Sequence, residues 1–295
     1  MRRLALLLAL LAGAASVQAD GFRTPNIVHQ EKSLYRNILV VEGDGYRCMT
    51  FGRRHARQTC IRPAAPEQLV LPYTQALLAG LFSTPAPRRV LVIGLGGGVM
   101  PRALHALAPQ AVVDTVELDP AVLDVAKRYF GFQDGGYSQA YVDDGRVFVR
   151  KQRRAAVHYD LILIDAFDKS YIPEHMLTRE FLAEVKSLLN PGGTVAANTF
   201  ADGALVRHEA ATYQSVFGDT MTLDMDNGNR IILAGRDGLP DLSTMKHNAA
   251  PLREAMLPLN VSVDDLLRRI RPQARETRAR VLTDQYAPAN LLLRY

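Results

Sequence analysis

The chain has little cysteine. Cys48 and Cys60 are the two in 295 residues, and neither has the spacing to histidine that a metal site needs, so no metal is expected. Internal repeats and low-complexity tracts are also missing, which excludes a solenoid or a disordered array. Arginine concentrates only at 268–280, in RRIRPQARETRAR. No aromatic residues interleave with that run and no recognised binding motif surrounds it. It reads as a solvated helix face, and nucleic acid is not expected as a partner. The apolar stretch at 4–12 is too short to span a bilayer.

What is present is ordinary for a soluble globular protein, with 48% hydrophobic and 22% charged residues. The length supports one large domain or two modest ones. Residues 1–19 stand apart. Arg2 and Arg3 give a positive start, 4–12 an apolar stretch, and Val17-Gln18-Ala19 a small-residue cleavage site, which together read as a secretory signal peptide. The mature protein would begin at Asp20 and be exported, periplasmic or secreted, with no stable membrane insertion after cleavage. A misassigned start would leave it cytoplasmic. Losing Arg2 and Arg3 lowers the formal charge from +5 to +3. Export permits a disulfide between Cys48 and Cys60 if a hairpin turns near Gly52 and His55. Its register could equally place them on opposite faces, so pairing stays open.

Residues 20–83 read as a small β-rich domain with a connecting helix, because β-branched and aromatic stretches are punctuated by Gly-Asp-Gly and Phe-Gly-Arg-Arg. That helix is read from PEQLVLPYTQALLAGLF, and the proline-rich STPAPRR that follows marks a boundary. From 88 to 240 strands alternate with helices. Strands are expected at 90–93, 112–117, 140–142, 161–165 and 194–198, and helices at 99–108, 121–129, 146–153, 178–189 and 204–216. The segment 220–235 adds a hairpin turning at Asp226-Asn227-Gly228-Asn229. This pattern predicts an α/β fold, a Rossmann-like doubly wound sheet of the class I adenosyl-ligand-binding type, behind the N-terminal β-rich domain. Residues 241–295 are expected to form a helical extension with a loose tail.

The chemistry gathers at strand ends. Gly94, Gly96, Gly97 and Gly98 follow the first strand of that sheet and open a helix, where bare backbone can approach a ligand. Glu117 ends the second strand, 23 residues after Gly94, at the distance where nucleotide-binding α/β units carry the acid that accepts ribose hydroxyls. Asp143 and Asp144 end the third strand. Either could accept an adenine amine, and either could cap the following helix. Asp165 and Asp168 end the fourth, where a carboxylate can hold an amine or take a proton from it. Asp160 reads as an ordinary strand-end acid. The acids converge on one sheet edge, which suits a cationic ligand such as a sulfonium or a polyamine.

In order and spacing, VLVIGLGGGVMPRAL, VELDP, VDDGRVF, YDLILIDAFD and LNPGGTVAANTF, with RQTC and LPYT upstream, resemble the spermidine synthase (polyamine aminopropyltransferase) family in its divergent spermidine-synthase-like branch. The resemblance implies a transferase that moves an aminopropyl group from decarboxylated S-adenosylmethionine to a diamine such as putrescine. By block alignment Gln58 would touch the nucleoside, Glu117 the ribose and Asp144 the adenine. Asp165 would be the base, with Tyr73 and Asp168 near the amine, and a homodimer is the implied assembly. Three stretches depart from the family pattern. Glycine (Gly97) stands where the family loop has an aspartate that grips the ammonium end of the transferred chain. Tyr73-Thr74-Gln75 replaces Tyr-His-Glu, and Lys169 replaces a proline. The departures keep two other readings open. One is methyl transfer from S-adenosylmethionine, whose carboxylate Arg102 or the loop amides could meet. The other is a non-catalytic exported protein that binds a polyamine or a thionucleoside. Asp284 and Tyr286, in LTDQYAPANLL, could reach the active-site edge, but read first as part of a packed tail.

Overall fold

The computed structural model describes residues 25–52, 57–135, 138–167 and 172–293. The expected signal peptide, Asp168 and Lys169 lie outside the described residues. The N-terminal domain is an antiparallel sheet in the order β1 (Asn26–Lys32), β2 (Asn37–Gly43), β3 (Tyr46–Phe51) and β4 (Arg57–Ile61). Strand side chains alternate between faces. Ile38, Val40, Met49 and Ile61 therefore enter the large core shared with the C-terminal domain, while Leu39, Val41, Cys48 and Cys60 form a separate cluster on the opposite face. Cys48 and Cys60 are direct partners in the β3–β4 register, which puts them on one face, and they are joined as a disulfide.

The connecting helix is shorter than its sequence suggests. α1 (Pro72–Leu77) starts at its proline, because a proline further inside would lack the amide and clash with the preceding turn. α2 (Gly80–Ser83) then lies on the main sheet so closely that a Cβ on Gly80 would stand 2.8 Å from Leu161 Cδ1.

The second domain alternates as expected. It runs β5 (Arg89–Ile93), α3 (Val99–Leu107), β6 (Val112–Glu117), α4 (Pro120–Phe130), β7 (Ser138–Val142), α5 (Gly145–Arg154), β8 (Tyr159–Ile164), α6 (Arg179–Ser187), β9 (Leu189–Phe200) and α7 (Leu205–Phe217). β7, β6, β5, β8 and β9 lie side by side and parallel. The hairpin β10 (Met221–Asp224) and β11 (Asn229–Gly235) joins antiparallel beside β9. The strand order reverses between β5 and β8, so their carboxyl ends open the crevice where ligands of such sheets bind.

The C-terminal extension is helical through α8 (Leu242–Ala249), α9 (Leu252–Met256) and α10 (Val263–Arg269), and Met245, Met256, Leu259 and Leu266 fill the main core. The arginine run corrects its expectation. Only Arg268 and Arg269 lie on a helix, and the chain then adds an edge strand, β12 (Ile270–Pro272), beside β10. Arg269 is held by Asp226 at 3.0 Å and Asp265 at 3.0 Å. Nor is the tail loose. Leu282 and Ala289 are buried with Ile172, Leu177 and Leu205, ahead of a last turn, α11 (Ala289–Leu292).

The disulfide closes a short loop between neighbouring strands. Replacing Cys48 and Cys60 together by serine is expected to lower stability by about 2–4 kcal/mol. Thermal melts with and without reductant check this: the wild-type midpoint should fall in reductant while that of the double variant stays put.

Candidate active site

The glycine loop does two jobs. Gly94, at φ +102°, ends β5 where a Cβ would collide with the backbone carbonyl of Asp165, so only glycine lets the ends of β5 and β8 meet. That meeting is pinned by the Asp165 amide, which donates to the Ile93 carbonyl at 2.8 Å. Gly94 and Gly96 line the cleft beyond it. Gly97 and Gly98 pack instead of lining it. A Cβ on Gly97 would stand 2.7 Å from Thr59 Cγ2, and one on Gly98 would stand 2.5 Å from Phe132. The place to which a side chain at 97 would project is therefore taken by Thr59 of β4.

The cleft encloses about 1030 Å³ with its mouth included, between β4 and α1 on one side and the edge of the parallel sheet on the other. Glu117, at the end of β6, is fixed by two backbone amides: Leu95 donates to one oxygen at 3.1 Å and Asp119 to the other at 3.0 Å. Burial raises its pKa, and those two bonds and the charge of Arg36 oppose the rise. Asp119 caps α4 in turn, accepting from the Ala121 amide at 3.0 Å.

The two acids after β7 divide as follows. Asp143 turns away to Lys151 at 2.7 Å and is not among the residues lining the cleft, which corrects its placement as a ligand contact. Asp144 both caps α5, accepting from the Arg146 and Val147 amides at 3.0 Å each, and lines the cleft. Its second oxygen meets His175 Nε2 at 2.9 Å, and that hydrogen bond is the main reason its pKa is lowered. Ile93, Leu118, Gly145 and Met176 form the apolar walls at this end.

At the other end stands Asp165. Its Oδ1 accepts from Asn198 Nδ2 at 2.9 Å. The Tyr73 hydroxyl, which donates to the Gln58 carbonyl at 2.7 Å, lies against the same carboxylate. Burial pushes the Asp165 pKa up to about 6; the hydrogen bond of Asn198 opposes this, and the charge of Glu117 adds to it. Burial also raises Tyr73, and Asp165 reinforces that. Gln58 reaches the cleft because β4 bulges there. Met49 pairs with Thr59 and Thr50 with Arg57, which leaves Gln58 as the extra residue.

Sequence reasoning missed several lining residues. Arg36 lines the cleft with its guanidinium 4.2 Å from the Phe51 ring centroid, and among the described residues it makes no side-chain hydrogen bond. Thr59 lines it too, with a buried hydroxyl that has no partner among the described residues. Neither is near the glycine loop in the sequence: Arg36 precedes β2 and Thr59 lies in RQTC on β4, so only the folded chain brings them to it. Arg102 is not in the cleft; it holds the Pro66 carbonyl at 2.6 Å and the Phe130 carbonyl. Asp160 is structural as expected, accepting from the Arg88 and Arg89 amides at 2.7 and 3.0 Å. Asp284 lies outside the cleft and, with Glu184, holds the buried Arg146. Among the described residues no group of three or more His, Cys, Asp or Glu is placed to hold a metal ion.

Comparison with known proteins adds four findings. A spermine/spermidine synthase domain model matches residues 73–223. A polyamine aminopropyltransferase of Vibrio vulnificus is 40% identical over 293 residues, which covers 97% of both chains. An eEF1A lysine and N-terminal methyltransferase homolog of Drosophila pseudoobscura pseudoobscura is 30% identical over 184 residues, 60% of this chain and 27% of that protein. Among solved structures, a probable spermidine synthase from Corynebacterium glutamicum superposes with a TM-score of 0.68 at 18% identity, covering 88% of this chain and 97% of that one.

The packing of Gly97 makes a testable demand. Gly97→Ala pushes a methyl group into Thr59 and Phe130, and overpacking of this kind costs about 1–3 kcal/mol. The expected outcome is a lower melting temperature than that of the wild type in thermal melts.

Proposed function

The chain belongs to the spermine/spermidine synthase family, and from that premise we propose that it moves an aminopropyl group from decarboxylated S-adenosylmethionine to a diamine such as putrescine. One observation carries the reading: Asp165 and Glu117 stand in a single cleft, one beside Tyr73 and the other beside the glycine loop. In this reading Glu117 accepts the ribose hydroxyls, and Asp144 accepts the adenine amine between the apolar walls. Gln58 meets the nucleoside, and Tyr73 flanks the incoming amine.

The reaction is a direct displacement. The amine nitrogen forms a bond to the carbon beside the sulfonium, the carbon–sulfur bond breaks, and methylthioadenosine leaves neutral. The proton lost by the amine passes to Asp165. Alignment of nitrogen, carbon and sulfur supplies most of the acceleration, and proton removal adds roughly a hundredfold to ten-thousandfold. The loop acid that would hold the chain's ammonium is absent at Gly97. Thr59, whose buried hydroxyl has no partner among the described residues, is the neutral acceptor offered in its place.

A second reading, methyl transfer from S-adenosylmethionine, is favoured by one feature. Arg36 lines the cleft with donors unused among the described residues, and a methionine carboxylate would take them. The lower-identity relative named a methyltransferase points the same way. We also propose export, because the N-terminal segment reads as a signal peptide and the Cys48–Cys60 disulfide suits an oxidising compartment.

Calorimetry with methylthioadenosine, decarboxylated S-adenosylmethionine and S-adenosylmethionine, followed by product analysis with putrescine, separates the two reactions. Aminopropyl transfer predicts spermidine and methylthioadenosine; a methylated product with S-adenosylhomocysteine would replace it. Asp165→Asn should cut turnover by roughly a hundredfold or more while methylthioadenosine affinity stays within about twofold. The wild-type rate should fall as pH drops through about 6, where Asp165 takes up a proton and stops acting as a base.

A further inference from the structure

We propose that Asn198 and Asn229 are positioning residues for the reaction: they hold the Asp165 carboxylate in place, and in its ionised state, to receive the proton of the attacking amine. The inference rests on the reading of Asp165 as the base. Asn198 lies near the end of β9, the strand next to β8, and follows Ala197, whose parallel partner is Ile164. This register sets Asn198 beside Asp165 across the ladder. The strand around it is apolar and buried, and Asn198 itself is 5% exposed. An unsatisfied amide there would be costly.

Both ends of the amide are used. Asn198 Nδ2 donates to Asp165 Oδ1 at 2.9 Å, and Asn198 Oδ1 accepts from Asn229 Nδ2 at 3.0 Å. An amide has one acceptor oxygen and one donor nitrogen. Because Asn229 points an N–H at Asn198, the nitrogen of Asn198 must face the carboxylate. Turning the amide over would set two oxygens against each other at Asp165 and two N–H groups against each other at Asn229. Asn229 is itself fixed by the hairpin turn. Its amide donates to Asn227 Oδ1 at 3.3 Å, and its carbonyl accepts from the Met225 amide at 2.8 Å. The Asp226-Asn227-Gly228-Asn229 turn, legible in the sequence only as the closure of a hairpin, thus delivers the outer member of a relay that ends on the base.

The consequence is chemical. The bond to Oδ1 ties the carboxylate to β9, and Tyr73 lies against it from α1. The donor of Asn198 also favours the ionised carboxylate, against burial and against Glu117. Among the described residues, the groups acting on this carboxylate are Glu117 from the end of β6, Tyr73 from α1 and Asn198 from β9.

The test is the pH dependence of Asp165 in Asn198→Ala and in Asn229→Asp, read two ways. One readout is the acid limb of turnover against pH; the other is a carbon-13 NMR titration of the Asp165 carboxyl, assigned with Asp165→Asn. Loss of a hydrogen bond to a charged group is expected to move both upward by about one to two pH units in Asn198→Ala. Asn229→Asp replaces the Asn229 donor by an acceptor, which turns the Asn198 amide over so that its oxygen faces Asp165, and should shift both the same way by at least as much. Methylthioadenosine affinity should stay within about twofold in each. If the carboxyl titrates within about 0.3 units of wild type in both variants, the proposal is overturned. Should Asn198→Ala fail to fold, Asn229→Asp decides alone. Absence of aminopropyl transfer in the wild type would defeat the reading of the reaction, but the carboxyl titration would still decide whether the relay sets the state of Asp165.

Discussion

β5 and β8 pair along their length and stay in contact beyond their carboxyl ends, and the site is organised around that last contact. The Asp165 amide donates to the Ile93 carbonyl, and Gly94 passes its bare α-carbon over the Asp165 carbonyl. From there β5 turns into the loop that leads to α3, while β8 delivers the carboxylate of Asp165. Separating the two ends by the width of a side chain would pull the glycine loop away from Glu117, because the Leu95 amide that fixes Glu117 is the next residue along. Ligand approach, the state of Glu117 and the placement of Asp165 thus share one close backbone crossing.

The N-terminal sheet is the other wall, and it works through small irregularities. One missing partner in the β3–β4 register aims Gln58 inward, and the next residue, Thr59, presses on Gly97. The disulfide lies one residue further along β4 on the opposite face, where it holds the register without entering the cleft. The two domains share one core, with Ile38, Val40 and Met49 packed in the same cluster as Val90, Val92 and Leu161. The walls of the cleft are therefore set by a continuous packed interior.

Much of this was legible in the sequence, for physical reasons. Regular alternation of short aliphatic runs with amphipathic helices leaves few alternatives to a doubly wound sheet, and the acids at strand ends fall at its ligand edge by topology. Gly94, Gly96, Glu117, Asp144 and Asp165 all line the cleft. Legibility stopped where the third dimension decides. Asp143 and Asp144 are adjacent, and only the cap of α5 determines which of them faces inward. Gly97 looked like a ligand contact, yet its neighbour is Thr59, which lies far off in sequence. Arg36 and His175 belong to segments with no motif of their own. Asn198 is one polar residue in an apolar strand, and its importance depends on a partner two strands away in sequence.

The tail carries a consequence of its own. Arg146, in the first turn of α5, is 6% exposed and is held by Glu184 from α6 and Asp284 from the last stretch of the chain. A buried guanidinium stripped of one carboxylate is left with an uncompensated charge. Asp144, which caps the same helix, sits two residues from Arg146 and faces the cleft. The final residues of the chain therefore brace the floor of the pocket from outside, and a change in that tail would be felt where a base would stack, without altering a single residue of the sheet.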